Sequence, residues 1–194
     1  MVAAADEAGP VPAQQHVPDQ EPVPDQHPAA ARLLGPCSAL ALDVGQRRIG
    51  LAGCDALGLT VTPLPALLRG PFERDLLHLQ ALVQQRRVQA LVVGLPLDAN
   101  QQATRQALHC RRYGLRLGRA LAAAGLNLPV AWVNEHSSSW AAGERFGLHG
   151  DRSGRLDSAA AMLLLEQWLS DGPAAEPVVT ATIAAGQRPI VAPF

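Results

Sequence analysis

Asp43, Glu135 and Asp157 stand where carboxylates can do chemistry. Asp43 ends the apolar run Leu40-Ala41-Leu42, Glu135 follows the apolar run from Pro129 to Val133 with Asn134 between, and Asp157 opens the apolar segment from Leu156 to Leu169. An acid at the end of a buried strand needs a partner for its charge, and a metal ion is a common one. Three carboxylates around two divalent ions can hold an attacking water and a leaving oxygen in line at a phosphodiester. Mg²⁺ and Mn²⁺ favour such hard oxygen ligands. Each acid alone has a plainer use. Asp43 could cap its turn through the local backbone, Glu135 could face solvent at a strand end, and Asp157 could sit in a helix's first turn, where the dipole favours it. Only their occurrence together favours the metal reading.

The elements must bring these acids together. Gly45 and Gly50 bracket a short reversal between strands at about 38–44 and 48–54. So tight a turn calls for backbone angles that Gly adopts without penalty. A third strand near 59–68 contains Pro63 and Pro65, which suit an edge. Phe72, Leu76, Leu79 and Val83 fall at helical spacing within 72–87. The run Ala90-Leu91-Val92-Val93-Gly94 is of the fully buried, parallel type. A long helix over about 102–124 sets Ala103, Ala107, Cys110, Leu117 and Leu121 on one face and Arg105, Arg112, Arg116 and Arg119 on another, and Gly125 ends it. That Arg face is either simply solvated or lies along a phosphate backbone. A strand over 129–133, a short helix over 137–146, a polar loop and a helix over 156–169 follow. The order β-β-β-α-β-α-β-α-α specifies an α/β fold: a mixed sheet, antiparallel in its hairpin strands and parallel beyond, with helices on both faces. Sites in such sheets lie outside the carboxyl ends of strands. Asp43 and Glu135 stand at two such ends and converge if their strands are parallel neighbours.

The 194 residues suit one domain with a proper core. Residues 1–35, rich in Pro, Gln, Asp and Ala, are expected to be a disordered extension, 36–170 the folded domain and 171–194 a flexible tail in which 178–183 could add a short strand. Formal net charge is −1, and all 16 basic residues are Arg. The acids concentrate relatively at the two ends, so the central domain is mildly basic. That is compatible with a nucleic-acid partner without specifying one. Three widely spaced cysteines argue for a reducing compartment and against a disulfide framework or zinc site. Neither a membrane span nor a signal segment is evident, so a cytoplasmic location is expected.

Four blocks resemble the YqgF family, also called RuvX-like, described as Holliday-junction-resolvase-like proteins or candidate pre-16S rRNA nucleases. They are Leu42-Asp43-Val44-Gly45-Gln46-Arg47-Arg48-Ile49-Gly50-Leu51-Ala52 with Asp55 following, Leu91-Val92-Val93-Gly94-Leu95-Pro96, Val133-Asn134-Glu135-His136 with Ser138-Ser139, and Leu156-Asp157-Ser158-Ala159-Ala160-Ala161-Met162-Leu163-Leu164-Leu165. The resemblance covers about 38–170 and implies an RNase H-like fold. It implies Asp43, Glu135 and Asp157 as catalytic acids holding Mg²⁺ or Mn²⁺, two ions in all, and an endonuclease acting on structured RNA, with maturation of the 5′ end of 16S rRNA in ribosome biogenesis as the favoured role. Arg48 matches an Arg of the family's opening motif and, with His136 and Arg155, is a candidate nucleic-acid contact. Where the family reads Asp-Glu-Arg, this chain has Asn134-Glu135-His136, which keeps the acid and changes its neighbours.

Other readings are a resolvase of branched DNA, and a nucleic-acid-binding protein with little catalysis. A phosphate-binding fold of the actin or sugar-kinase type also opens with Asp-x-Gly but needs a second similar half, for which the chain has no room. A monomer or weak dimer is expected. Asp98 reads as a turn residue, and Trp132, Trp140 and Trp168 as packing. His109 and Cys110 adjoin on a helix with no further ligand suggested.

Overall fold

Burial along the first strands alternates between two kinds of side chain. In β2 (Ala39–Val44), Leu40, Leu42 and Val44 enter one core cluster, and Ala39 and Ala41 enter another. Successive strand residues face opposite sides of a sheet, so β2 carries a large-residue face and a small-residue face. The computed structural model describes residues 32–33, 35–100, 102–134, 138–148, 151, 153–172 and 174–175.

β2 turns back antiparallel into β3 (Arg48–Cys54), and β3 pairs antiparallel with β4 (Val61–Leu68). On its other side β2 pairs parallel with β5 (Ala90–Leu95), which pairs parallel with β6 (Val130–Asn134). The sheet order is β4-β3-β2-β5-β6. Three antiparallel strands followed by two parallel ones, with helices on both faces, is the RNase H-like arrangement expected from the sequence. β4 is an edge, as its two prolines require, since neither can donate to a second neighbour. β2 and β6 are parallel but not neighbours, because β5 lies between them, so the condition for convergence of Asp43 and Glu135 is not met in full. Their carboxyl ends still open on the same edge of the sheet.

The large-residue face packs against α1 (Phe72–Gln85) and α2 (Arg105–Ala123), through Leu79, Val83, Cys110, Tyr113, Leu117 and Leu121. Thr104 caps α2, its hydroxyl accepting from the Ala107 N–H at 2.9 Å. Ala103, expected on the apolar face of that helix, lies before it and is exposed. Gly114 of α2 makes room for the Trp132 ring, which would lie 3.0 Å from a Cβ at that position. The small-residue face packs against α4 (Arg155–Ser170), which supplies Met162, Leu164, Leu165 and Trp168. Helix α3 (Ser138–Phe146) rests on α4 through Ala142, Ala159 and Ala160, and Arg145 pairs with Glu166.

A short ribbon, β1 (Arg32–Leu33) with β7 (Ala174–Ala175), lies in stretches expected to be tails. Ala175 is 2% exposed within the α4-side core. Both strands fall outside the span 36–170 expected for the domain. The 178–183 stretch lies outside the described residues.

Candidate active site

Asp43 is the second-last residue of β2 and shares the face of Ala39 and Ala41, the face on which α4 lies. Its register partner across the hairpin is Gly50. A Cβ on Gly50 would overlap the backbone carbonyl oxygen of Asp157. The first turn of α4 therefore rests directly on the β3 backbone beside Asp43, and this contact brings Asp43 and Asp157 to one end and one face of the sheet. Both are partly buried.

The glycines of the hairpin serve space, not the backbone angles expected of them. Neither Gly45 nor Gly50 has a positive φ. At Gly45 a Cβ would lie 2.9 Å from the Arg48 carbonyl oxygen. Gly154 does require its conformation: φ is +97°, in the left-handed region that favours glycine, immediately before α4.

Helix α4 is capped from upstream. Asp151 accepts from the Arg155 N–H at 3.0 Å, from the Leu156 N–H at 3.3 Å and from the Ser153 hydroxyl at 2.9 Å. These bonds hold its carboxyl below the usual carboxylate range, the Ser153 hydroxyl foremost. Asp157 itself stands in the first turn of α4, where the dipole favours an acid, while Asp151 takes the N–H groups at the helix start. Burial pushes the Asp157 carboxyl up, Arg48 opposes that shift, and Asp151 adds to it.

The end of β2 is fixed from the other face. Gln106 donates to the Val44 carbonyl at 2.9 Å, and the Cys110 thiol donates to it at 3.5 Å. Arg69 donates to the Gly45 carbonyl at 2.8 Å and contacts His109 Nε2 at 3.1 Å. Burial pushes the His109 imidazole down, and Arg69 and Arg112 push it further. A neutral ring can accept from the guanidinium. Below this lies Asp75, 1% exposed, which accepts from the Gly70 N–H at 3.0 Å. Burial first and Asp75 second push the Tyr113 phenol up to about 12. Sequence reasoning did not single out Arg69, Gln106 or Asp75; Gln106, a polar residue on a helix, and Arg69, in a loop, give no local sign that they reach the distant end of β2.

Arg155 is the first residue of α4 and is exposed. Glu135 and His136 lie outside the described residues. Among the described residues, no three His, Cys, Asp or Glu side chains are grouped so as to hold a metal ion. Asn134 pairs in register with Leu95 and shares the face of Val130 and Trp132, toward α2. Asp98 is a turn residue, accepting from the N–H groups of Asn100 and Gln102 at 2.9 and 2.8 Å. Trp132 and Trp168 pack against the two core clusters, while the Trp140 side chain lies outside what is described. No described helix is long and apolar enough to cross a membrane.

The family model described as RuvX, Holliday junction resolvase, matches residues 37–171. Among curated proteins, a "Putative pre-16S rRNA nuclease" of Synechococcus sp. (strain CC9902) is 64% identical over 162 residues, covering 84% of this chain and 96% of that one. A protein of the same name from Synechococcus sp. (strain CC9605) is 71% identical over 142 residues, covering 73% and 87%. A more distant likeness is to T. thermophilus RuvC in complex with Holliday junction substrate, 17% identical with a TM-score of 0.47, covering 73% of this chain and 99% of that one.

Proposed function

The chain belongs to the RuvX, Holliday junction resolvase, family, and from that premise we propose that it is a metal-dependent endonuclease that processes the 5′ end of pre-16S rRNA in the cytoplasm. The observation that supports the reading is the close approach of the Asp157 backbone to Gly50, the register partner of Asp43 across the hairpin. The name shared by relatives 64% and 71% identical supports the RNA substrate over branched DNA.

The donor set suits a divalent ion. Asp43 and Asp157 are hard oxygen donors on one face, and burial already disfavours the Asp157 carboxylate without a cation to neutralise it. Glu135 is the third ligand in this reading. Ala131 and Val133 lie on the α4 face, and Glu135 is next in that alternation. Bound Mg²⁺ or Mn²⁺ would supply charge stabilisation at the phosphodiester and a more acidic water. The chain's own part is to hold the end of β2, and with it Asp43, from the rear through Gln106, Cys110 and Arg69, and to present Arg48 near Asp157, where its charge suits a substrate phosphate.

Single-turnover cleavage of an RNA spanning the 5′ end of 16S rRNA tests the reading, with a four-way DNA junction assayed beside it. Cleavage of the RNA in Mg²⁺, its loss in Asp43→Asn, and little action on the junction are expected. Undiminished cleavage in excess chelator would overturn the metal dependence, and faster cleavage of the junction would overturn the substrate.

A further inference from the structure

A cleft of about 650 Å³ lies between the edge strand β4 and helices α3 and α4. Pro63 and Pro65 line it on the strand side, and Phe146, Leu148, Met162 and Ser158 on the helix side. Ser158 directly follows Asp157. It is 4% exposed, and its Oγ has no hydrogen-bond partner among the described residues. A buried hydroxyl left in this state is costly, and a ligand edge that bonds it removes the cost. Gly154 also lines the cleft, and the Arg48 side chain runs 3.3 Å from where a Cβ of Gly154 would stand. Arg155, exposed, stands among the lining residues.

We propose that this cleft receives one unpaired nucleobase of the substrate RNA strand, beside the phosphate that is cut. The inference rests on the nuclease reading and deepens it. The volume is that of an ordinary small-molecule site, mostly apolar with few polar groups, which is the environment a base ring needs. Proline rings and the Phe146 ring, which is 39% exposed, offer apolar surface in place of the stacking neighbours a base has within a helix. The Ser158 hydroxyl both donates and accepts, so it can meet the polar edge of any base. Arg48 and Arg155 supply positive charge at the acid end of the cleft, where the backbone phosphates must run. Because Ser158 adjoins Asp157 in one helical turn, base and cleaved phosphate belong to the same or neighbouring nucleotides. A base held between these walls has left its pairing partner. The enzyme therefore acts at a single-stranded or opened position next to a helix, and not within intact duplex.

The test uses the full chain with an RNA hairpin carrying a single-stranded 5′ extension, Ca²⁺ replacing Mg²⁺ to slow cleavage. 2-Aminopurine is placed at one position after another, and fluorescence polarisation follows overall binding. One position, in or next to the unpaired segment, is expected to change its emission on binding. Phe146→Ala and the more conservative Ser158→Ala are expected to abolish that change and to weaken binding by about fivefold to a hundredfold, the scale of one stacked base. Far-ultraviolet circular dichroism identifies a variant that has not folded; the other then carries the test. Tight binding with no responsive position, or a response retained in a folded variant, would overturn the cleft as a base site while leaving the nuclease reading intact. If the parent bound no RNA at all, both would fall.

Discussion

Gly50 matters for the side chain it lacks. Any substituent there meets the Asp157 carbonyl oxygen, and that oxygen belongs to the backbone of a helix start that cannot swing aside as a side chain could. Gly50→Ala is therefore expected to lower the urea midpoint, with a cost of about 1–3 kcal/mol typical of overpacking, and to remove cleavage by displacing Asp157. A variant with parental stability and rate would show that the contact is not tight. The glycine was visible in the sequence, but its reason was not, because the group that crowds it is more than a hundred residues away. Asn134 shows the converse: strand alternation alone assigns it to the α2 side with Val130 and Trp132, and there it stands. Glu135→Gln is expected to lower the single-turnover rate on the order of 10²-fold or more, as loss of a charge contact in a transition state does. Asn134→Asp should change it only modestly. A hundredfold gain in Asn134→Asp would reverse the assignment of the two faces.

Among elements, β4 was legible because two prolines exclude a central position, and α2 because its apolar residues repeat at helical spacing. The β1–β7 ribbon was not, since two-residue strands carry no period. It nonetheless buries Ala175 against the α4-side core. Deleting residues 173–194 is thus expected to lower the thermal midpoint by a few degrees, whereas deleting 1–31 should leave it unchanged. Equal midpoints for the first deletion and the parent would mean that the ribbon contributes nothing. Two further elements depend on ionised acids. Asp151 caps α4, and Asp55 closes the loop after β3 by accepting from the N–H groups of Leu57, Leu59 and Thr60 at 2.8, 3.1 and 2.9 Å. Both carboxyls are held below the usual range, by hydrogen bonding to the Ser153 hydroxyl and the Leu59 N–H respectively. A carboxyl depressed in the folded state contributes stability above its unfolded value near 3.8, and that stability is lost as pH falls through the lower folded value. Urea midpoints measured from pH 6 downward are expected to fall below pH 4, and less steeply in Asp151→Asn. An identical profile in that variant would remove Asp151 from the account.

At the scale of the whole molecule, the sheet separates two functions. One face carries large side chains and α2, which with Arg69 fixes the end of β2; the other is thinned to alanine and glycine, so that the start of α4 lies close against β3 at Gly50, the register partner of Asp43. The arginines of α2 stand on the far side of the sheet from α4, exposed, with Arg116 paired to Glu73 and stacked on Phe72 at 3.7 Å. They therefore lie on the opposite face of the sheet from α4, which helical period alone does not reveal because it does not say which side of a sheet a helix covers. The central claim is that Asp43 and Asp157 serve one metal site. Calorimetric titration of Mn²⁺ into the full chain and into Asp43→Asn and Asp157→Asn tests it without needing a substrate. The account predicts Mn²⁺ binding by the parent and its loss or strong weakening in each variant, while circular dichroism stays unchanged. Parental Mn²⁺ affinity in either folded variant would contradict it.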